Sequence, residues 1–216
     1  MGPSRLVALA ASLVVLAGCY GAYQVSPENV QTVGGLTPNV EDKDAGLVAL
    51  APGLDIKSYK VLAVAKFPVT DPAIKDEDDR RRAAEISTIL QNELVRRLRD
   101  TGLFTRVVNL TETEFQPGAD KTLRLEGVIT RLGGGSQAAR AFAGLYGAGA
   151  ARAQAEMRFI DIRSRQPVLA LADRRRATMG FFGGDKMDHW KESFDDMARD
   201  VGKFLVRLSN GQAPGK

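Results

Sequence analysis

The strongest pattern in the sequence is a helical repeat of large apolar residues near the carboxyl terminus. These residues recur at steps of three or four, and they are Met187, Trp190, Phe194, Met197, Val201, Phe204 and Leu208. The residues between them are mostly charged, so the stripe is the face that must be buried. A helix covering one face of a sheet would use such a stripe. The alternatives are pairing with another helix or an oligomer surface.

A second amphipathic helix is predicted earlier in the chain, between two strands. Residues 59–67 form a short, nearly continuous apolar run that suits a buried strand. Acidic residues 76–79 then provide a helix cap, and the apolar repeat continues to about Asp100, before Gly102. Residues 104–110 and 123–132 predict two further strands. A helix that links two strands favours a βαβ crossover.

A hairpin is predicted after these elements. Apolar and polar residues alternate over residues 153–159, and a change of phase after Phe159 indicates a bulge. A turn at residues 164–167 leads to the partner strand, which Arg174–Arg176 continue. These three arginines could meet lipid headgroups or an acidic protein, but consecutive strand residues point to alternate faces, which favours an exposed, solvated edge. The fold class expected is α/β (α+β), a single mixed sheet of about five strands covered by two main helices. This single domain would span residues 58–210, followed by a flexible tail, 211–216.

The amino terminus has the pattern of a secretory signal. Arg5 precedes an apolar run that is too short to be a transmembrane anchor. Leu16, Ala17 and Gly18 then stand directly before Cys19, the only cysteine. This order resembles the bacterial lipobox, which implies cleavage between Gly18 and Cys19 and acylation of Cys19. The alternative is an ordinary secretory signal with a free thiol at Cys19.

The lipobox resemblance also suggests where the protein resides. Tyr20 stands where an Asp would resemble an inner-membrane retention signal, so we expect the outer membrane, with the protein facing the periplasm. Residues 19–57 are rich in Gly, Pro, Asn and Asp without a sustained period, which favours a partly ordered lipidated tether. The alternative is an extension that packs on the domain.

A glycine-rich segment, residues 133–151, separates two of the predicted strands. With its flanking elements, it resembles the bacterial lipoprotein family called domain of unknown function 4410, and the matching positions are Gly135, Arg140, Gly144, Gly147, Gly149 and Asp161. The element order also resembles the amino-terminal domain of the Tol-Pal propeller protein and the curli secretion lipoprotein core, which implies fold alone. The segment is either a tight connector or an insert that contacts membrane or subunits. Its possible interaction residues are Arg140, Gly144, Gly147, Gly149 and Arg152.

The sequence contains few candidates for chemistry. No glycine-rich stretch has the residues of a phosphate loop. His189 is the only histidine, and the sequence contains no nucleophile elbow with which it could form a catalytic triad. Asp185, Asp188 and His189 suit a helix start better than a metal site. A net charge of +4 with 6% aromatic residues does not favour nucleic-acid binding. We therefore expect no catalytic residues, cofactor, metal or small-molecule substrate.

The enzymatic alternative is a periplasmic hydrolase that would depend on His189. Two other functional hypotheses follow from the sequence. The first is a non-enzymatic, lipid-anchored envelope protein that binds another protein or supports an assembly at the outer membrane. The second is an oligomeric secretion-pore or ring subunit that resembles the curli secretion lipoprotein. Both include contact with the membrane through the lipid, and either a protein partner or self-association.

Overall fold

A mixed β-sheet is the centre of the structure, a computed structural model that describes residues 22–133, 151–177 and 186–215. The described part contains eight strands: β1 Ala22–Val25, β2 Val40–Asp42, β3 Gly46–Leu50, β4 Val61–Val64, β5 Arg106–Asn109, β6 Thr122–Gly133, β7 Ala151–Asp161 and β8 Pro167–Ala177. Their order is β2-β3-β8-β7-β6-β4-β5, and β1 also pairs with β8. Strand β4 is parallel to β5 and β6, whereas the other pairs are antiparallel.

The described helices are α1, Glu77–Asp100, and α2, Lys186–Ser209, with a 3-10 turn at Ile56–Ser58. The Asp76 carboxylate caps α1 by accepting a hydrogen bond of 2.7 Å from the Asp79 amide. Gly102 follows α1 with a φ of 66°, a conformation that glycine adopts at low cost. The predicted helix and its β4-α1-β5 crossover are confirmed.

Both helices pack on one face of the sheet and form the core. Leu90 of α1 and Phe194 and Phe204 of α2 are fully buried in one cluster with the sheet residues Leu125 and Phe159. Burial of this apolar surface, at about 25 cal/mol per Å², is the main stabilising contribution to the fold. The stripe of α2 therefore covers a sheet and also contacts α1.

The predicted fold class is confirmed, but the strand count is higher than expected because residues 22–50 contribute three strands. Strand β3 pairs with the first half of one edge of β8, and β1 pairs with the second half. The expectation that residues 19–57 form a tether is therefore wrong for residues 22–57. The alternative of an extension packed on the domain is what the structure shows. Backbone pairing to β8 needs no long apolar pattern, so the composition of residues 22–50 did not predict these strands.

The carboxyl-terminal tail is also attached to the domain. The Gly215 amide donates a hydrogen bond of 3.1 Å to the Asp42 carboxylate, and the Gly215 carbonyl accepts one of 3.2 Å from the Lys43 amide. The prediction of a flexible tail at residues 211–216 is wrong for residues 211–215.

The β7–β8 hairpin and the bulge are confirmed. The register between the strands shifts between Phe159 and Ile160. Asp161 closes the turn: one carboxylate oxygen accepts from the amides of Arg163 and Ser164, and the other accepts from the Tyr59 hydroxyl at 2.9 Å. Burial and this bond raise the pKa of Tyr59 to about 12. Asp161, one of the family positions, therefore has a structural role here.

A buried ion-pair network lies between the sheet and α2. Arg175 is 5% exposed, and its guanidinium binds the carboxylate of Asp173 at 2.6 Å and that of Asp200 at 3.1 Å. It also donates to the Asp44 carbonyl, and Gln24 of β1 donates to both Asp173 and the same carbonyl. The network joins β8, α2, β1 and the β2–β3 turn.

The expectation that Arg174–Arg176 form a solvated edge is wrong. Strand β8 is paired along both edges, and Arg174 and Arg175 are each 5% exposed. The three side chains do alternate, as expected of a strand: Arg175 faces the helices, and Arg174 and Arg176 face the opposite side.

A second ion pair connects α2 to the β2–β3 turn. Arg207 donates to both oxygens of the Asp42 carboxylate, at 2.7 and 2.9 Å, and to Asp44 at 2.8 Å. Burial alone would raise the pKa of Asp42, but Arg207 and the amides of Asp44, Gly215 and Ala45 hold it below its ordinary value. The side chain of Asp42 is fully buried, so its charge depends on these partners.

We predict that Arg207→Ala lowers the free energy of unfolding by about 3 kcal/mol, because it leaves the buried Asp42 carboxylate without its counter-charge. Urea unfolding measures the change.

The depressed pKa of Asp42 contributes stability above the pKa of about 3.9 that an Asp has in the unfolded chain. This stability is lost as the pH falls through the lower pKa of Asp42 in the folded protein. The difference between wild type and variant should therefore shrink below about pH 4. Arg81→Ala, which breaks an exposed pair, is the control and should cost under about 1 kcal/mol. Equal losses in both variants would contradict this role.

Candidate functional site

The sheet face opposite α1 and α2, here called the open face, carries mostly charged side chains. Residues directly opposite in antiparallel strands point to the same side, which assigns the face from the register. Its central residues are Arg124, Glu126, Val128 and Arg131 of β6, Arg152, Gln154, Glu156 and Arg158 of β7, and Ala170, Ala172, Arg174 and Arg176 of β8. Six arginines thus share this face with two glutamates.

A bulge in β6 places one of these arginines. The β6–β7 register shifts between Ile129 and Arg131, so Ile129 pairs with Ala155 on the helix side and Arg131 pairs with Gln154 on the open face. Without the extra residue, Thr130 would occupy that position. Asp71 fixes the strand beyond the bulge, because its carboxylate accepts a hydrogen bond of 2.7 Å from the Leu132 amide.

Residues 26–38, here called the strap, cross the open face. Gln154 accepts a hydrogen bond of 2.9 Å from the Glu28 amide and donates one of 2.8 Å to the Glu28 carbonyl. The Glu156 carboxylate accepts one of 3.0 Å from the Gln31 amide. Arg174 forms an ion pair with the Glu28 side chain. Buried polar groups of the sheet therefore hold the strap by its backbone and by charge.

A groove of about 370 Å³ lies between the strap and the sheet. Val33 and Pro38 line it from the strap, and Glu126, Glu156 and Arg158 line it from the sheet. The Glu126 carboxylate accepts from Arg158 at 2.7 Å and pairs with Arg124 at 2.8 Å. Oε1 of Glu156 is buried and has no hydrogen-bond partner among the described residues. The groove offers apolar walls beside paired charges.

Four arginines, here called the arginine cluster, gather where β6 and β8 end and β7 begins: Arg131, Arg152, Arg174 and Arg176. Arg152 lies opposite Arg176, and Arg131 and Arg174 flank Gln154 in the next row. Arg152 is exposed and the Arg131 side chain is 36% exposed, whereas Arg174 is buried. The hydrogen bond from Arg174, together with the charges of Arg152 and Arg131, holds the pKa of Glu28 below its ordinary value.

The structure places only some of the predicted site residues. Arg152 belongs to the arginine cluster, whereas Gly18, Cys19, Arg140, Gly144, Gly147 and Gly149 lie outside the described residues. His189 is on α2, and its Nε2 is buried without a partner in the described part of the chain. Within that same part, no three His, Cys, Asp or Glu side chains come together as metal ligands would. No described helix is long and apolar enough to cross a membrane.

Sequence reasoning missed three members of the cluster. For Arg174 and Arg176 the sequence predicts an exposed edge, because consecutive strand residues alternate and the pairing of β8 with β1 and β3 is seen only in the structure. Arg131 was missed because only the bulge turns it toward the open face. One sequence signal indicates a polar face of the sheet, namely the polar half of the alternation in β7, from Arg152 to Arg158, although it does not identify the three missed arginines. It reads equally well as a solvated face.

Fold and site together define an α+β domain with two helices on one face of a mixed sheet and a charged, strapped surface on the other. The chain belongs to the DUF4410 family, a domain of unknown function whose model matches residues 38–214. The family predicted from the glycine-rich segment is confirmed.

The chain is also similar to solved structures at low sequence identity. The PelC dodecamer of Paraburkholderia phytofirmans is 10% identical with a TM-score of 0.43, and the match covers 71% of this chain and 94% of PelC. A Xanthomonas campestris protein of family DUF330 is 13% identical with a TM-score of 0.46, and the match covers 82% of this chain and 97% of the Xanthomonas protein. No curated protein sequence matches the chain.

We predict that Gln154→Ala releases the strap, because it removes both hydrogen bonds to the Glu28 backbone. A loss of about 1 kcal/mol per bond corresponds to amide exchange at Glu28 that is about 30-fold faster. Hydrogen exchange of the strap residues, read against β6 as an internal reference, measures the change. Gln116→Ala, at an exposed loop residue, is the matched control and should leave the strap unchanged. Unaltered protection of Glu28 in the Gln154 variant would show that other contacts hold the strap.

Proposed function

We propose that this chain is a lipid-anchored cell-envelope protein without enzymatic activity, which binds another protein or supports an assembly at the periplasmic side of the outer membrane. The lipid is carried by Cys19 after removal of residues 1–18, and the lipobox order Leu16-Ala17-Gly18-Cys19 supports this. The binding surface is the open face, with its strap and groove.

The observation that carries this proposal is the short distance between the anchor and the sheet. Ala22, the first residue of β1, pairs with Ala177 at the end of β8. Only two residues separate Cys19 from Ala22, so their Cα atoms are at most about 11 Å apart. A lipid on Cys19 holds this end of the sheet at the membrane. The domain therefore does not stand off on a long tether.

The open face has the features of a binding surface. Its groove combines apolar walls from Val33 and Pro38 with the paired charges of Glu126 and Arg158. An interface of this kind selects a partner by charge complementarity as well as by buried area. The paired guanidinium and carboxylate groups favour a protein surface that carries both signs of charge.

A second candidate is a ring or secretion-pore subunit. Gly133 ends β6 and Ala151 begins β7 at the same end of the sheet as Ala22. The glycine-rich connection between them therefore leaves the described fold on the side where the lipid would be. An insert at that position could contact the membrane or a neighbouring subunit, as this function requires.

We predict that the wild-type protein incorporates labelled fatty acid in bacterial cells and that Cys19→Ala does not. Mass spectrometry of the purified protein checks that acylation follows removal of residues 1–18. Ser12→Ala, a change within the apolar run that leaves the lipobox intact, is the control and should keep full labelling. An unlabelled, soluble wild-type protein would rule out the lipid anchor.

The oligomeric state of the detergent-solubilised lipoprotein separates the two candidates. Small species that retain a defined protein partner support the interaction module. Large uniform rings with membrane conductance support the pore subunit instead.

A further inference from the structure

We infer that the arginine cluster, formed by Arg131, Arg152, Arg174 and Arg176, binds the headgroup phosphates of the membrane to which Cys19 is attached. This inference rests on the proposed lipid anchor for the distance between cluster and membrane. The cluster's affinity for phosphate is a property of the folded domain and can be tested without the lipid.

The position of the cluster follows from strand register. Tyr23 of β1 pairs with Arg176, and Arg176 pairs in turn with Arg152. The cluster therefore begins level with Tyr23, the residue next to Ala22. The Cα atom of Ala22 is itself at most about 11 Å from that of Cys19. The opposite end of the sheet, at Pro167, is about 34 Å away along β8. Of the two ends, the one with the cluster is therefore held closer to the headgroups while the anchor is inserted.

The charge of the cluster favours an anion. Among the described residues, its four guanidinium groups form ion pairs with two carboxylates: Glu28, which pairs with Arg174, and Asp71, which lies 3.7 Å from Arg131. Guanidinium groups present planar pairs of N–H donors that match phosphate oxygens. Near an anionic lipid surface each basic residue contributes about fivefold in affinity, and four residues on one patch act together.

Unused donors in the cluster point to a missing partner. Nε of Arg174 and Nε of Arg176 are both buried, and neither has a hydrogen-bond partner among the described residues. Arg174 itself is 95% buried, so each unsatisfied donor costs free energy that an acceptor would recover. The Glu28 carboxylate, which is 55% exposed, already occupies an anion position beside Arg174. A phosphate oxygen at the same edge of the sheet would supply acceptors of the same kind.

Vesicle binding tests the inference on the mature chain from residue 19 with Cys19→Ser, so that no lipid contributes. We expect co-sedimentation with phosphatidylglycerol vesicles, weaker binding to phosphatidylcholine vesicles, and a steep loss of binding with salt. The Arg131→Ala, Arg152→Ala, Arg176→Ala triple variant should bind about 100-fold more weakly, or about fivefold per arginine. Glu28→Gln, which removes a competing anion and keeps the side-chain shape, should bind about fivefold more tightly.

The matched control removes three cations at the far end of the sheet, by Lys57→Ala, Arg163→Ala and Arg165→Ala. It has the same net charge as the cluster variant and should keep most of the vesicle binding. Thermal unfolding of each variant confirms that the fold is retained, and Glu28→Gln tests the cluster without removing any arginine.

Two outcomes would overturn the inference. Equal losses in the cluster and control variants would mean that net charge alone drives binding. Binding of inorganic phosphate by the cluster without any vesicle binding would assign it to a free anion and not to a membrane. Failure of vesicle binding, with fatty acid still incorporated at Cys19, would remove this inference and leave the proposed function standing.

Discussion

The buried guanidinium of Arg175 connects the parts of the chain that the rest of the structure needs in place. It lies between Asp173 of β8 and Asp200 of α2, and it reaches the Asp44 carbonyl in the β2–β3 turn. Removing one partner of such a buried pair leaves an uncompensated charge, so the network tolerates few alternative arrangements. It fixes the early strands against the helix, and with them the point where the chain leaves toward Cys19.

Patterns of apolar residues predicted the elements whose burial is long and periodic. The stripe of α2, the βαβ crossover and the hairpin with its bulge are all confirmed, because each is encoded by the side chains of one continuous segment. Strands β1 to β3 were not predicted, because they are short and are held by backbone pairing, β1 and β3 to β8 and β2 to β3. The charges of Arg174 and Arg175 also obscured a central strand, since buried ions can be recognised only once their partners are known.

The candidate site was less predictable than the fold, because its residues come from different strands that only the folded sheet brings together. Arg152 was selected from its position beside the glycine-rich segment, and the structure places it in the arginine cluster. Its neighbours Arg131, Arg174 and Arg176 come from two other strands, and only register and a bulge bring them together. The result is a domain whose open face has two distinct regions, a basic end next to Ala22 and a groove farther along the sheet. Under the proposed function, this arrangement would tie membrane contact and partner binding to a single orientation.

The orientation of the lipidated protein on a membrane tests this account most directly. With the proposed lipid on Cys19 its thiol is blocked, so an introduced cysteine can be labelled alone with a fluorophore. Tyr23→Cys marks the anchor end at an exposed residue, and Lys57→Cys marks the far end. With nitroxide groups on the lipid headgroups, we predict strong quenching of the probe at position 23 and little at position 57. Equal quenching at both positions, or stronger quenching at position 57, would contradict the account.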